Sequence, residues 1–108
     1  MADSFLMVMT TTDAREHAER LARGLVEQHL AACVQVLGPI SSTYRWEGAV
    51  ETAEEWLCLI KTTGARFDAL AAHVEANHAY ETPELTAVPV SRGSAAYLAW
   101  VSSATDSR

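Results

Sequence analysis

Basic residues are scarce in this chain of 108 residues, where 8 lysines and arginines stand against 14 aspartates and glutamates. The formal charge is therefore −6. Nucleic acids and anionic membranes are bound through basic surface that contacts phosphates and displaces counterions. The charge balance predicts that neither is a partner. Long apolar runs are also missing, since none approaches the roughly 18 residues that a membrane-spanning helix needs.

Cysteine is rare as well, and Cys33 and Cys58 each lie in an apolar run typical of a strand. Such residues are usually buried free thiols, which we expect here in preference to a disulfide or a metal pair. Their spacing matches no zinc motif. The first four residues carry an acid, Asp3, where a secretory signal carries a base. These features predict a cytoplasmic protein.

The short motifs of common enzyme classes are absent from the sequence. There is no glycine-rich dinucleotide loop, no Walker loop and no Gly-x-Ser-x-Gly elbow. His78, Tyr80 and Glu84 are close enough in sequence for acid–base chemistry, but only their proximity favours it. We therefore predict that the protein is not an enzyme.

Hydrophobic periodicity predicts one α+β domain over residues 1–108, with the order β-α-β-β-α-β and a short final helix. This is the order of a ferredoxin-like sandwich, in which both main helices cover one face of an antiparallel sheet. Asp13 and Glu16 have the spacing of a capping box at the first helix. Residues from about 103 onward are small and polar and predict a flexible tail. The predicted strands are 5–11, 33–47 with a bend or bulge at Gly38-Pro39, 49–62 and 84–90, and the helices are 14–28, 65–77 and 95–102.

The central hairpin is predicted to be unusually long. Its arms join at Glu47-Gly48 and greatly exceed the ~5–6 residues of a typical strand. Arms of this length must project beyond the core of so small a domain. Tyr44 and Trp46 near the tip are then half-exposed aromatic residues unless another subunit covers them.

A polar loop between the second helix and the last strand is the strongest candidate for the edge of a site. It runs from His78 to Glu84 and holds an imidazole, a phenol and two carboxylates, with Pro83 restricting the backbone. Binding residues concentrate on loops that a rigid scaffold carries. The loop therefore predicts where a ligand binds.

Five segments in this order resemble the CutA family of divalent-cation tolerance proteins across almost the full length. The resemblance implies a ferredoxin-like fold and a homotrimer built by strand exchange between long hairpins, similar in architecture to the PII signalling proteins. It also implies a trimeric, cytoplasmic protein that binds copper or another divalent cation and contributes to metal tolerance. The segments are Leu30-Ala31-Ala32-Cys33-Val34, Ser42-Thr43-Tyr44-Arg45-Trp46-Glu47-Gly48, Lys61-Thr62-Thr63, His78-Ala79-Tyr80-Glu81-Thr82-Pro83-Glu84 and Tyr97-Leu98-Ala99-Trp100.

The metal ligands that the resemblance implies are only partly present. Some family members use a cysteine on the first strand and a histidine pair before the last loop. Here Met9 occupies the first position, and the pair is reduced to Asn77-His78, followed by Ala79 where proline is usual. His78 and Met9 are thus the candidate ligands, and imidazole with thioether suits copper, particularly the cuprous ion.

Several residues have two interpretations that the sequence leaves open. One interpretation is an intersubunit pocket for a small anionic or metal-bound ligand, formed by Trp46, Lys61, Tyr80 and Glu84. The other is an intersubunit ion pair between the lysine and a carboxylate. His78 is a ligand or a hydrogen-bonding residue at a subunit contact. We predict that Glu54 and Glu55 are solvated strand residues rather than the lining of a channel. We predict that His17 and His29 are ordinary exposed positions.

A second function stays open beside metal tolerance. The PII-like architecture also fits a signalling or interaction module that binds a small metabolite in clefts between subunits.

Overall fold

The computed structural model describes residues 4–106, and the order of its elements is the predicted one. Each predicted helix and strand is present, with ends displaced by a few residues at most. A short 3₁₀ turn precedes the second helix. The elements are β1 (Phe5–Thr12), α1 (Arg15–Glu27), β2 (Cys33–Trp46), β3 (Ala49–Thr63), the 3₁₀ turn (Gly64–Arg66), α2 (Phe67–Asn77), β4 (Thr86–Pro89) and α3 (Ala95–Ala104).

The four strands form one sheet in the order β2-β3-β1-β4, with every neighbouring pair antiparallel. The short strand β4 pairs with β1 and ends the sheet. Its Pro89 has no amide proton to donate, and an edge strand tolerates that loss. Pro89 therefore lies where the sheet ends.

The two faces of the sheet differ in what covers them. Val8, Cys58 and Ile60 point to the face on which α1 and α2 pack, and they are fully buried with Leu25 and Leu70. Burial of each such large side chain contributes about 1.5–3 kcal/mol, so this face forms the core. The other face is partly covered by α3, which contacts β3, and it retains partly exposed apolar side chains.

The hairpin of β2 and β3 is as long as predicted, with arms of 14 and 15 residues. Glu47 and Gly48 have φ angles of 49° and 82°, as a tight two-residue turn requires. The register shifts between Leu37 and Ile40, which confirms the bulge expected at Gly38-Pro39. A Cβ atom on Gly38 would overlap the ring of Trp56, so this position requires glycine.

Two local expectations need revision. The capping box is wrong, because Ala14 is the N-cap of α1 and no side chain caps the helix. Helix α3 runs to Ala104, and Thr105 is buried, with its hydroxyl donating to the Val101 carbonyl at 2.9 Å. The predicted tail therefore does not begin at 103, and its last residues, 107 and 108, lie outside the described part of the chain.

Within residues 4–106, no helix combines the length and the apolar character needed to cross a membrane.

Candidate functional site: a histidine pair beside an acidic cleft

The polar loop after α2 is fastened to the end of β1 by the ring of His78. Its Nε2 lies 2.7 Å from the Thr11 carbonyl oxygen, and its Nδ1 lies 3.0 Å from the amide nitrogen of Tyr80. A carbonyl only accepts and an amide N–H only donates, so we assign the neutral tautomer with the proton on Nε2. Burial lowers the pKa of His78, and the hydrogen bond to Thr11 opposes that shift. Both ring nitrogens therefore hold the loop in place.

A second histidine packs against this ring. His17 and His78 have ring centroids 5.2 Å apart in an edge-to-face arrangement. His17 is buried, and its Nε2 donates to the Asn77 carbonyl at 3.0 Å while its Nδ1 lies 3.8 Å from Asp13 Oδ1. The expectation that His17 is an ordinary exposed residue is wrong. Its spacing of four from Asp13 was the available signal, since such residues share a helix face.

The candidate metal ligands His78 and Met9 lie on the loop after α2 and in β1, the two segments that the His78 ring joins. Met9 lies in β1 opposite Leu59 and Thr86, two residues before Thr11. A metal ion on His78 would have to displace either the Thr11 carbonyl or the Tyr80 amide. Across the described range 4–106, no three histidine, cysteine, aspartate or glutamate side chains are grouped so as to hold a metal ion.

Tyr80 connects the loop to the hairpin. Its hydroxyl donates to Glu55 Oε2 at 2.7 Å, and its ring lies 4.9 Å from that of His78. Burial first, and then the bond to Glu55, raises the pKa of Tyr80 above its ordinary value. Glu55 is only 8% exposed, so its prediction as a solvated residue is wrong, whereas the neighbouring Glu54 is exposed as expected.

Beyond Tyr80 the loop and the hairpin enclose a cleft of about 860 Å³, which we call the acidic cleft. It contains three of the four predicted pocket residues, Trp46, Tyr80 and Glu84. Its full lining is Thr11, Ser42, Thr43, Tyr44, Trp46, Glu51, Glu55, Tyr80, Glu81, Thr82, Pro83 and Glu84.

The fourth predicted pocket residue, Lys61, lies elsewhere in the same chain. It pairs across the sheet with Met7 and Cys33, and its Nζ donates to Gln35 Oε1 at 2.9 Å. Six residues of β3 separate it from Glu55, which corresponds to roughly 20 Å along a strand. The side chains that line the acidic cleft therefore carry negative charge only.

Both cysteines are free thiols. Cys58 is buried in the core, and that burial raises its pKa to about 11. Cys33 is half-buried and interacts with Tyr97 on α3. The thiol of Cys58 is therefore a packing group at neutral pH.

Comparison with known proteins decides the family. The sequence profile of the CutA1 divalent ion tolerance proteins matches residues 6–104. The chain belongs to the CutA1 family. The resemblance inferred from the five sequence segments is thereby confirmed.

Individual family members match over nearly the whole chain. The divalent-cation tolerance protein CutA of Thermus thermophilus is 41% identical over 95 residues, which are 88% of this chain and 92% of that protein. The chloroplastic CutA 1 protein of rice is 42% identical over 100 residues, 93% of this chain. The crystal structure of CutA1 from rice superimposes with a TM-score of 0.94 at 40% identity, covering 97% of this chain and 96% of that one.

The chain spans 56% of the rice protein's length and 55% of that of the chloroplastic CutA protein of Arabidopsis thaliana. The family description refers to tolerance of divalent ions and names no enzymatic reaction. Family membership thus supports a relation to divalent cations in general.

Proposed function

We propose that this CutA1 family member binds divalent cations, with copper as the leading ion, and contributes to metal tolerance as a non-enzymatic, cytoplasmic homotrimer. The observation that carries the proposal is the match of residues 6–104 to a family described by divalent ion tolerance. The acidic composition, with a formal charge of −6, is compatible with cation binding.

The proposed ion does not fit the ligands of one chain, because the two nitrogens of His78 are both hydrogen-bonded. A cation site on His78 therefore requires that one of these hydrogen bonds be released, and the other chains of a homotrimer would supply the further donors. His78 and Met9 remain the proposed contributions of each chain.

Exposed apolar surface supports the homotrimer. Leu37, Val50 and Val88 are 44%, 65% and 40% exposed, and Trp46 near the hairpin tip is 52% exposed. Exposed apolar surface concentrated on a projecting hairpin and one sheet face favours contact with another protein surface. Light scattering should give a mass three times the 11.7 kDa of the chain, and a monomer mass would contradict the assembly.

Calorimetric titration of the metal-free protein with copper tests the function directly. We expect saturable heats for the wild type and reduced affinity for His78→Ala. His73→Ala is the matched control, because it removes another half-buried imidazole, carried by α2 five residues earlier. Absence of saturable heat in the wild type would overturn copper binding, and equal heats from both variants would remove His78 from the site.

The acidic cleft favours a second candidate function, a PII-like module that binds a small metabolite. A concave site with aromatic walls and a few polar groups is the usual form of a small-molecule site. A ligand bound only by the native state must raise the midpoint of thermal unfolding. A metabolite panel without any such increase at millimolar concentration would count against this function.

A further inference from the structure

The outer half of the β2–β3 hairpin has little buried contact with the rest of the chain. We call residues 40–55 the outer arm. None of the residues from 40 to 54 is buried, whereas the inner part of β3 carries Cys58, Ile60 and Thr62 at buried positions. Segments that bury few side chains open at a lower free energy than the core to which they are joined. The outer arm can therefore move without unfolding of the domain.

The ladder between the two strands is interrupted where the outer arm begins. Its register shifts between Leu37 and Ile40, so that Gly38 and Pro39 of β2 oppose the single residue Trp56 of β3. Such a bulge breaks the regular hydrogen bonding and bends the strand that contains it. The direction of the outer arm is therefore set at this bulge.

The indole of Trp56 lacks a partner in this arrangement. Its ring lies so close to Gly38 that a Cβ atom at that position would overlap it. Its Nε1 is buried and has no hydrogen-bond partner among the described residues. A buried donor without an acceptor costs free energy, so the present direction of the outer arm is maintained against a local cost.

A hydrogen bond beside the bulge holds the outer arm in that direction. Glu55 is the one buried residue among residues 40–55, and it accepts a hydrogen bond from the Tyr80 hydroxyl at 2.7 Å. This bond joins the outer arm to the loop after α2, whereas the hydroxyls of Thr43 and Thr52 bond to each other within the arm. Tyr80 is itself fixed, because its amide donates to His78 Nδ1 and its ring packs against that imidazole.

We propose that the outer arm is a hinged element, that the bulge at Gly38-Pro39 is its hinge, and that the hydrogen bond from Tyr80 to Glu55 is its latch. In the latched state Tyr80 donates to Glu55, and the indole N–H of Trp56 has no partner. In the released state the bond from Tyr80 is lost, and the change of direction at the bulge brings the indole N–H to water, which offsets part of that loss.

The latch connects two regions that have separate roles in the proposed function. Tyr80 belongs to the loop predicted to bind a ligand, and the outer arm carries Trp46 and Val50 of the exposed apolar surface assigned to the subunit contact. A displacement of the loop that releases the latch therefore weakens assembly, and assembly favours the latched loop to the same extent. This coupling rests on the proposed homotrimer, whereas the hinge and the latch do not.

Hydrogen exchange of the backbone amides, measured on the full chain in its native assembly, tests the latch. Tyr80→Phe keeps the ring and removes the donor. We expect the amides of the outer arm to exchange about tenfold faster, the usual effect of losing one buried hydrogen bond, and those of α3 to change less than twofold. Tyr44→Phe is the matched control, since it removes an exposed hydroxyl from the arm itself, and we expect it to change neither set.

Light scattering over a dilution series tests the coupling. An arm that is free before association must be ordered during it, and that ordering lowers affinity. We therefore expect Tyr80→Phe to dissociate at a protein concentration about tenfold or more above that of the wild type, and Tyr44→Phe to dissociate as the wild type does.

The two measurements separate the latch from the homotrimer. Unchanged exchange of the outer arm in Tyr80→Phe would show that the arm opens without breaking this bond, and it would overturn the latch. Faster exchange with unchanged dissociation would overturn the coupling to assembly. A wild type that is monomeric at every concentration would contradict the proposed homotrimer, and the exchange comparison would still decide the latch.

Discussion

The histidine pair and the acidic cleft adjoin each other through Tyr80, yet they differ in how far their polar groups have partners. In the pair, the Nε2 atoms of His17 and His78 donate to backbone carbonyls, and Nδ1 of His78 accepts an amide proton. In the cleft, Tyr80 donates to Glu55 alone among four glutamates, and no lysine, arginine or histidine of the described chain lines it. Satisfied polar groups stabilise a fold, whereas unbalanced charge lowers stability and favours a ligand. Both nitrogens of His78 already hold the fold, so the ring must release one hydrogen bond before it can bind a metal.

The largest expected effect comes from removing the anchor of the loop. His78→Ala deletes both ring hydrogen bonds and leaves the Thr11 carbonyl and the Tyr80 amide without those partners. We expect a loss of about 2–3 kcal/mol in the free energy of unfolding, measured with urea. Glu84→Ala in the cleft should change it by less than ~0.5 kcal/mol, as exposed substitutions usually do. Similar losses for both variants would abolish the distinction between the two regions.

The next effect tests the tyrosine that joins the regions. Tyr80→Phe removes the hydroxyl that donates to the buried carboxylate of Glu55, while keeping the ring. We expect a loss of about 1–2 kcal/mol, because a buried acceptor then lacks its donor. Tyr44→Phe is the matched control, since Tyr44 is exposed and its hydroxyl makes no hydrogen bond within the described chain. Equal stability of the two variants would mean that water replaces Tyr80 at no cost.

Much of the fold was predictable because its signals are local. Apolar runs located the strands, and Glu47-Gly48 located the turn through a constraint on the backbone nearby. The capping box at Asp13 failed because the aspartate lies near His17 rather than capping the helix. Local spacing alone could not distinguish these two roles.

The site was less predictable because it depends on contacts between distant segments. Trp46, Tyr80 and Glu84, which sequence resemblance and loop chemistry predict at one pocket, line the same cleft. That this cleft binds a ligand stays a prediction. The burial of Glu55 was not foreseen, and its hydrogen-bond partner, Tyr80, is 25 residues away in sequence. Lys61 was expected in the same pocket, but strand register places it near Gln35 within one chain.

The smallest expected effect is a pH dependence that originates in the histidine pair. Burial is the main cause that lowers the pKa of His78 below 6.5, and the hydrogen bond to Thr11 and the nearby Asp13 and Glu55 oppose it. As pH falls through 6.5, the unfolded chain takes up a proton that native His78 still resists. The free energy of unfolding therefore decreases as pH falls through this window and becomes constant, for this group, below the native pKa.

Urea unfolding at a series of pH values from 8 to 4 measures this slope. His78→Gln should reduce the slope, even though its overall stability is lower, because the titrating group is gone. His29→Gln is the control, since His29 is exposed and its Nδ1 lies 3.2 Å from the Ala104 carbonyl oxygen at the end of α3. A slope unchanged by His78→Gln would mean that the acid sensitivity arises elsewhere.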